Sequence, residues 1–263
     1  MQRAPHFGLR HNAPIIALRV ESNHGVVRVT PETAGWTYVG FEVVRVDGTF
    51  ARTEDGRETC VVVLGGTCTL RAGDVVGEGL GRRDVFDWPP AALYVPPGVT
   101  WTAEGEAELA LCTAPATGRL PPRLLTSPKH LTRGTGLEER RIANILMEDE
   151  EAESLLVTEV ITPRGHWSSY PPHKHDTDDP PRETYLEETY YHRLDPADGF
   201  AFQRVYTDDR SLDESVAVRD GDVVLVPRGY HPVVAGARHD LYYLNVMAGP
   251  VREWRISADP AYG

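Results

Sequence analysis

The strongest constraint on the fold is a succession of short apolar runs, rich in β-branched and aromatic residues, that alternate with turn residues. Residues 36–46, 58–65, 154–162 and 199–206 are runs of this kind. Such segments are typical of β-strands, and the 24 glycines and 21 prolines of the chain supply the turns between them. The pattern predicts an all-β sandwich or barrel. One stretch, residues 138–147, is compatible with a short helix, although its periodicity is weak.

An internal repeat predicts two similar domains. Glu58 and Glu188 each begin a Glu-Thr strand segment, and a Pro-x-Gly turn precedes both Trp101 and His231, with 130 residues between the members of each pair. A repeat at such a long offset indicates a duplicated unit. We therefore expect an N-terminal domain at residues 1–125 and a C-terminal domain at residues 126–263. The N-terminal domain lacks counterparts of the C-terminal histidines, so we expect it to bind no metal.

Charge and composition favour a cytoplasmic protein that acts on small molecules. The formal net charge is −12 over 263 residues, which argues against nucleic acid or an anionic membrane as a partner. The sequence contains no signal-peptide pattern and no apolar run near the roughly 20 residues of a membrane-spanning helix. The three cysteines form no Cys-x-x-Cys pair, which indicates reduced thiols. Pairing of an exposed edge strand would favour a homo-oligomer.

Three histidines and one glutamate form a candidate metal site. His173 and His175 are separated by one residue, so in an extended segment both side chains point to the same face. Glu188 lies in a later strand-like run, and His231 follows a Pro-x-Gly turn. Three imidazoles and one carboxylate suit a divalent transition metal such as Zn, Mn or Fe and leave room for substrate or water.

Strand periodicity extends the site from Glu188 to its neighbours. If Glu188 points inward, then Tyr190 and His192 point inward too, and Glu187 points to the opposite side. Tyr190 and His192 are therefore candidate catalytic residues. His192 is a candidate fifth ligand as well, although a hydrogen-bonding role in the pocket is favoured.

These motifs resemble those of the cupins, small β-barrels with a His-x-His…Glu motif and a Gly-x5-Pro-x-Gly…His motif. Two departures stand out: twelve residues separate His175 from Glu188, and His231 comes one residue early. A loop insertion between His175 and Glu188 would account for the first. Longer runs, at residues 170–179, 186–193, 199–210, 224–232 and 242–250, resemble a bicupin family more closely, the 5-deoxy-glucuronate isomerases of bacterial myo-inositol degradation.

The resemblance implies two jelly-roll barrels and a metal-assisted aldose–ketose isomerase that converts 5-deoxy-glucuronate into 2-deoxy-5-keto-gluconate. Such a reaction needs a Lewis acid for the two reacting oxygens and a base, for which Tyr190, Tyr206, His192 and a metal-bound hydroxide are candidates. Whether the hydrogen moves through an enediol or as a hydride stays open. A metal-dependent cupin dioxygenase and a non-catalytic sugar-binding cupin are the alternative functions.

The carboxylate of such a substrate requires a basic partner, preferably an arginine. We expect Arg204 to fill this role, with Tyr206 on the same side of its strand; a surface position for Arg204 is the alternative. Gln203 would then face away. Arg182, Lys174 and Arg228 are further candidates. Tyr243 is a candidate substrate contact, with core packing as its alternative.

Overall fold

The computed structural model describes residues 18–23, 25–87 and 89–262 of the chain. Almost all regular structure in this part is antiparallel β-strand, which confirms the predicted all-β class. The first 17 residues of the predicted N-terminal domain lie outside the described residues. Among the residues described, no helix has the length and apolar character needed to cross a membrane.

The elements are numbered in chain order. In the first half they are β1 (Arg19–Val20), β2 (Arg28–Val29), α1 (Pro31–Ala34), β3 (Gly40–Arg52), β4 (Arg57–Ala72), β5 (Val75–Arg82), β6 (Ala92–Val95), β7 (Trp101–Pro115) and β8 (Arg123–Leu125). In the second half they are β9 (Lys129–Arg133), a 3₁₀ turn (Gly136–Glu138), β10 (Arg140–Leu146), β11 (Leu156–Thr162), β12 (Trp167–Ser168), β13 (His173–Lys174), β14 (Glu187–Asp195), β15 (Ala201–Tyr206), β16 (Asp213–Val218), β17 (Val223–Val226), β18 (Val233–Val234), β19 (Asp240–Ala248) and β20 (Ser257–Ala258).

The first barrel is built from a single sheet that folds over itself. Its strand order is β2-β3-β7-β4-β6-β8, and β5 pairs with β4. Strands β3, β4 and β7 are 13 to 16 residues long, and irregularities at Val63/Gly65 and Cys68/Leu70 interrupt the register of β4. Bulges of this kind bend a strand and let a sheet curl. The curled sheet encloses a core that includes Val61, Leu109 and Trp101.

The second barrel has two facing sheets. A seven-stranded sheet has the order β1-β17-β14-β19-β11-β10-β9, and a four-stranded sheet has the order β12-β18-β15-β16. Strand β1 comes from the N-terminal end of the chain, yet it pairs with β17 of this second barrel. Apolar side chains such as Val160, Val205 and Leu241 fill the space between the sheets. The domain boundary at residues 125 and 126 stays a prediction.

The largest apolar cluster lies between the two barrels. The outer face of the seven-stranded sheet packs against the outer face of the first barrel, with Tyr191, Tyr242 and Leu244 on one side and Phe41 and Val62 on the other. Consecutive side chains of a strand point to opposite faces, so each of these strands faces a barrel interior on one side and this shared core on the other. The two barrels are therefore joined by hydrophobic burial over a whole sheet face.

Two buried glutamates tie the barrels together by accepting backbone hydrogen bonds. Glu58 on β4 accepts the N–H groups of residues 153, 154 and 155 at 2.7–2.9 Å and the hydroxyl hydrogen of Tyr94 at 2.7 Å. Glu187 on β14 accepts the N–H groups of residues 37, 38 and 39 at 2.6–3.0 Å. A carboxylate of each barrel thus accepts hydrogen bonds from backbone N–H groups of the other barrel. Because the acceptors are charged, these hydrogen bonds are strong.

The strand registers correct the pairing inferred from the repeat. Glu58 lies opposite Ala114 just before the pair Thr59–Val95, and Glu187 lies opposite Ala248 just before the pair Glu188–Val226. The counterpart of Glu58 is therefore Glu187, and Thr59 occupies the position of Glu188. The true offset is one residue shorter than 130 at Glu58 and Glu187, and one residue longer at Val95 and Val226. The common offset of 130 residues was the intermediate value.

The prediction that residues 138–147 could form a short helix is wrong. Most of this segment is strand β10, which pairs with β9 on one side and β11 on the other. Neighbouring strands supply backbone partners all along it, and its alternation of Ile142, Ala143, Asn144 and Ile145 follows the two faces of the sheet. Tertiary pairing outweighed the weak helical periodicity.

The Glu58 contact predicts a large loss of stability on neutralisation. We expect Glu58→Gln to lower the free energy of unfolding by about 2–3 kcal/mol, because charged hydrogen bonds in a buried site are lost. Urea denaturation would measure the change. The exposed Glu106 on β7 of the same sheet gives the control Glu106→Gln, which should change stability little. Equal midpoints for both variants would contradict the role assigned to Glu58.

Candidate metal centre

Three of the four predicted ligands converge on one buried point inside the second barrel. The side chains of His175, Glu188 and His231 each offer one ligand atom, and these atoms lie within 4.8 Å of one another. Oε2 of Glu188 lies 3.0 Å from Nε2 of His175 and 3.2 Å from Nε2 of His231. All three residues are at most 3% exposed. The convergence joins strand β14 to two loops that are far apart in sequence.

Backbone carbonyl groups orient the imidazole rings. Nδ1 of His175 lies 3.0 Å from the carbonyl oxygen of Leu186, and Nδ1 of His231 lies 2.8 Å from that of Gly229. When Nδ1 donates a proton to these oxygens, Nε2 is the ring nitrogen that faces Glu188 and can bind a metal. Fixing the tautomer and the ring direction in this way is how proteins prepare histidine for metal binding.

The two ligand loops are held against each other. Oδ2 of Asp176, next to His175, accepts the N–H of Gly229 at 2.8 Å, two residues before His231. Gly229 has φ +88°, and a Cβ there would lie 2.4 Å from the carbonyl oxygen of Tyr206. Only glycine fits this turn without strain. The Pro-x-Gly-x-His pattern is thus explained by the approach of the backbone to β15.

The fourth predicted ligand, His173, lies beside this group. Its ring centroid is 4.9 Å from that of His231 and 6.5 Å from that of His175. Strand β13, which carries His173, pairs with β20 near the C-terminus, and His173 lies directly opposite Ala258. The side chain is half-buried and lines the same pocket as Glu188.

Burial determines the protonation of the site. Desolvation and the neighbouring His175 lower the pKa of His173 to about 3, and desolvation with both neighbouring histidines holds the pKa of His231 well below its usual range. Desolvation also raises the pKa of Glu188. For His175, desolvation lowers the pKa, but the hydrogen bond and charge of Glu188 outweigh it and raise the pKa. His173 and His231 are therefore neutral near pH 7, as ligands must be.

These residues fit a divalent metal ion. Nε2 of His231 is buried and has no hydrogen-bond partner among the residues that the structure describes, although an orphaned buried nitrogen is costly. A cation at the point where His175, Glu188 and His231 converge would satisfy it. Nitrogen and carboxylate ligands in this number match sites for Zn, Mn and Fe.

A pocket of about 260 Å³ opens beside the centre. Its wall is the inner face of the seven-stranded sheet, where β14, β19, β11, β10 and β9 follow one another. His173 and Glu188 lie at one end. Arg133 and Arg140, which sequence analysis did not single out, lie on β9 and β10 at the far edge of the sheet. Their only signal was the two-residue alternation within residues 129–133 and 140–144.

Two tyrosines line the middle of the pocket. The hydroxyl of Tyr190 lies 2.9 Å from Oγ of Ser169, and that of Tyr243 lies 2.5 Å from Oγ of Ser168. Desolvation raises the pKa of Tyr190 well above its usual value and also raises the pKa of Tyr243. Both phenols are therefore protonated at neutral pH. Asn245, directly opposite Tyr190 on β19, also lines the pocket, and its buried Nδ2 has no hydrogen-bond partner in the described part of the chain.

The structure does not bring His192 into the pocket. His192 is completely buried behind Tyr190, with the two rings stacked at 6.0 Å, and its Nε2 lies 3.0 Å from Oε1 of Gln203. Gln203 in turn reaches the carbonyl oxygen of His231 at 3.5 Å. The inward parity of His192 is as predicted, but its depth makes it a support for Tyr190 rather than a substrate contact.

Arg204 and Tyr206 are also absent from the pocket. Both lie on the outer face of β15, whose inner face carries Gln203 and Val205. Arg204 forms a two-pronged ion pair with Asp213 at 2.7 and 2.8 Å, and the Tyr206 hydroxyl donates to Asp259 at 2.6 Å. The predicted substrate contacts of Arg204 and Tyr206 are therefore wrong. Of the two faces of β15, the one that carries Gln203 points inward, and the one that carries Arg204 and Tyr206 points outward.

The sequence matches proteins of one family over nearly its full length. The KduI/IolB family profile matches residues 16–263. A 5-deoxy-glucuronate isomerase of Geobacillus kaustophilus is 53% identical over 244 residues, which cover 89% of this chain and 88% of the relative. A 5-deoxy-glucuronate isomerase of Halalkalibacterium halodurans is 44% identical over 256 residues, covering 93% and 95% of the two chains.

Solved structures support the same relationship. An IolB-like protein from Salmonella typhimurium LT2 superposes with a TM-score of 0.91 at 44% identity, covering 94% of this chain and 98% of the other. An oxalate decarboxylase of Bacillus subtilis with Mn(II) centres superposes with a TM-score of 0.64 at 11% identity, covering 94% and 80%. The second likeness concerns the fold alone, and it fits the predicted bicupin architecture.

The arrangement predicts graded losses of metal. Loss of a residue that only supports a ligand typically lowers metal affinity about 10- to 100-fold. We expect His231→Ala to lower the affinity for Zn²⁺ or Mn²⁺ by more than this, because it removes a buried ligand itself. His173→Ala, outside the tight group, should lose less. Elemental analysis after dialysis against defined free metal would measure both. His239→Ala is the control, since His239 lies near Asp198 instead. Full metal content in His231→Ala would refute the site.

Proposed function

The chain belongs to the KduI/IolB family, and from this premise we infer that it is an isomerase that converts 5-deoxy-glucuronate into 2-deoxy-5-keto-gluconate, a step of myo-inositol degradation. The observation that carries this inference is 44–53% identity to isomerases of that name over most of the chain. The pocket beside His173 and Glu188 supplies the room for a small sugar acid. The cytoplasmic location and a homo-oligomeric state stay predictions.

We assign His175, Glu188 and His231, with His173 beside them, as the residues that hold one divalent metal, namely Zn, Mn or Fe. When bound, such an ion acts as a Lewis acid on the aldehyde oxygen and the neighbouring hydroxyl oxygen of the substrate. The Nδ1 contacts of His175 and His231 with backbone carbonyls keep both rings in position for this task.

The reaction moves one hydrogen from the hydroxyl-bearing carbon to the aldehyde carbon, and one proton between the two oxygens. No atom is gained or lost overall. Tyr190 and Tyr243 carry protons on Oη at neutral pH because burial raises their pKa values. We assign Tyr190 the role of proton donor to the substrate oxygen, since its hydroxyl lines the pocket next to Glu188. His192 stacks against the Tyr190 ring from behind, and Gln203 holds His192 in place.

The two alternative functions are not favoured. A dioxygenase and a non-catalytic sugar-binding protein would both use a similar ligand set. The relatives that resemble this chain over 89–93% of its length are named as isomerases. Oxygen uptake and the absence of turnover, respectively, would distinguish these alternatives from isomerisation.

Proton NMR of 5-deoxy-glucuronate tests the proposed function. We expect the purified, metal-loaded protein to form the keto acid without oxygen, and a chelator to stop the conversion, because the metal polarises the reacting oxygens. Restoring Zn²⁺ or Mn²⁺ should restore turnover. No product from protein with one equivalent of metal would contradict the assignment, and oxygen-dependent product would favour the dioxygenase.

Tyr190→Phe should lower kcat by about 100-fold or more while metal content stays unchanged, because it removes only the proton on Oη. Tyr191→Phe is a matched control from the same strand, since Tyr191 points into the core between the barrels. Steady-state kinetics and elemental analysis on both variants would check this. Equal kcat values for the two variants would rule out the role of Tyr190.

A further inference from the structure

The pocket has a metal end and a basic end. The inward residues of β10 and β9 at this second end include Arg140 and Arg133. Strands β19 and β11 lie between β14 and β10, so Glu188 and Arg140 belong to different strands of the same pocket wall. The space between is lined by Tyr243, Asn245 and other inward side chains. A molecule lying across the sheet would touch both ends.

Arg133 and Arg140 form an unusual pair. They lie directly opposite each other on β9 and β10. Like charges in such cross-strand positions destabilise a sheet. Within the described part of the chain, neither has a carboxylate within ion-pair distance: Arg140 donates from Nη1 to the carbonyl oxygen of Glu138, and Arg133 lies over the Trp254 ring at 5.7 Å.

Two other arginines of the second barrel are neutralised by carboxylates. Arg164 pairs with Asp240, and Arg204 pairs with Asp213, each through a bidentate contact. Lys129, the third basic residue of the pocket, is largely exposed and lies 3.9 Å from Asp149. The positive charge at the basic end therefore belongs to Arg133 and Arg140.

We propose that Arg140, with Arg133 at the pocket rim, binds the carboxylate of the substrate and so determines specificity for sugar acids. This inference rests on the proposed function. The carboxylate and the reacting carbons are at opposite ends of the open-chain substrate. Binding the carboxylate at β10 would leave the aldehyde end at the centre of His175, Glu188 and His231. The planar guanidinium group can hold a carboxylate through two parallel hydrogen bonds.

Arg140 is the principal residue of the two. It is half-buried, whereas Arg133 is exposed. Its side chain lines the same pocket as Tyr243 and His173. A partly buried charge is screened less by water, so its contact with a carboxylate is stronger. Arg133 adds charge at the entrance, where Trp254 supports its side chain.

The test compares a charged substrate with a neutral one. Metal-loaded wild-type protein and Arg140→Met are assayed with 5-deoxy-glucuronate and with its carboxamide, in which the charge is absent. We expect Arg140→Met to raise the KM for the acid about 10- to 100-fold with little change in kcat, and to remove the preference for acid over amide. Arg140→Lys should keep part of that preference, because it keeps the charge but not the planar fork.

Arg141→Met is the matched control, since Arg141 is the next residue of β10 and its side chain lies on the other face. It should behave as the wild type. A merely structural role for Arg140 would weaken acid and amide equally. An unchanged preference in the double variant Arg133→Met/Arg140→Met, folded and loaded with metal, would overturn the inference.

A binding measurement separates this inference from the proposed function. Calorimetry with D-glucuronate and D-xylose, which lacks the carboxyl group, requires no turnover. If wild-type protein fails to convert 5-deoxy-glucuronate, the proposed function fails. A preference for glucuronate over xylose that disappears in Arg140→Met would still uphold the carboxylate site. Equal binding of the two sugars by the wild type would refute the site even if isomerisation is observed.

Discussion

The two-sided pleat of β14 is the constraint on which both the fold and the site depend. Of its inward residues, Glu188 and Tyr190 build the centre and the pocket wall, and His192 supports Tyr190 from behind. Its outward residues, Glu187 and Tyr191, bind the first barrel through backbone N–H groups and the shared apolar core. Because neighbouring residues of a strand point to opposite faces, a slip of one residue would exchange the two sets. The packing between the barrels therefore maintains the register that presents Glu188.

The second constraint is the closure of two loops around β14. His175 and His231 come from loops with little regular structure, yet each imidazole ring is held at Nδ1 by a backbone carbonyl. The bond from Gly229 to Asp176 joins the two loops. Backbone contacts therefore hold the ligand side chains in position, in addition to the contacts that the ligands make with one another. A metal ion would meet a prepared site, and less conformational entropy would be lost on binding.

Beyond β14, the seven-stranded sheet acts as the floor of an asymmetric pocket. The ligands are at one end and the protonated tyrosines are in the middle. At the other end are two guanidinium groups that have no carboxylate partner among the described residues. This order follows from the order of the strands, β14-β19-β11-β10-β9, in which β14 and β9 are far apart although each contributes to the wall. A sugar acid has the same asymmetry, with a reacting end and a charged end.

The amino-acid sequence alone determined the all-β class, the meeting of His175 with Glu188 and His231, and the inward parity of Tyr190, because these depend on local periodicity and recognisable motifs. Only the tertiary structure decided that Arg204 lies outside, that His192 lies behind Tyr190, and that Arg140 reaches the pocket. Parity relates residues within one strand, but it does not say which face is inner or how deep a side chain lies. Those properties follow from which strands pair and which sheet faces pack, and long-range hydrogen bonds and hydrophobic burial determine both.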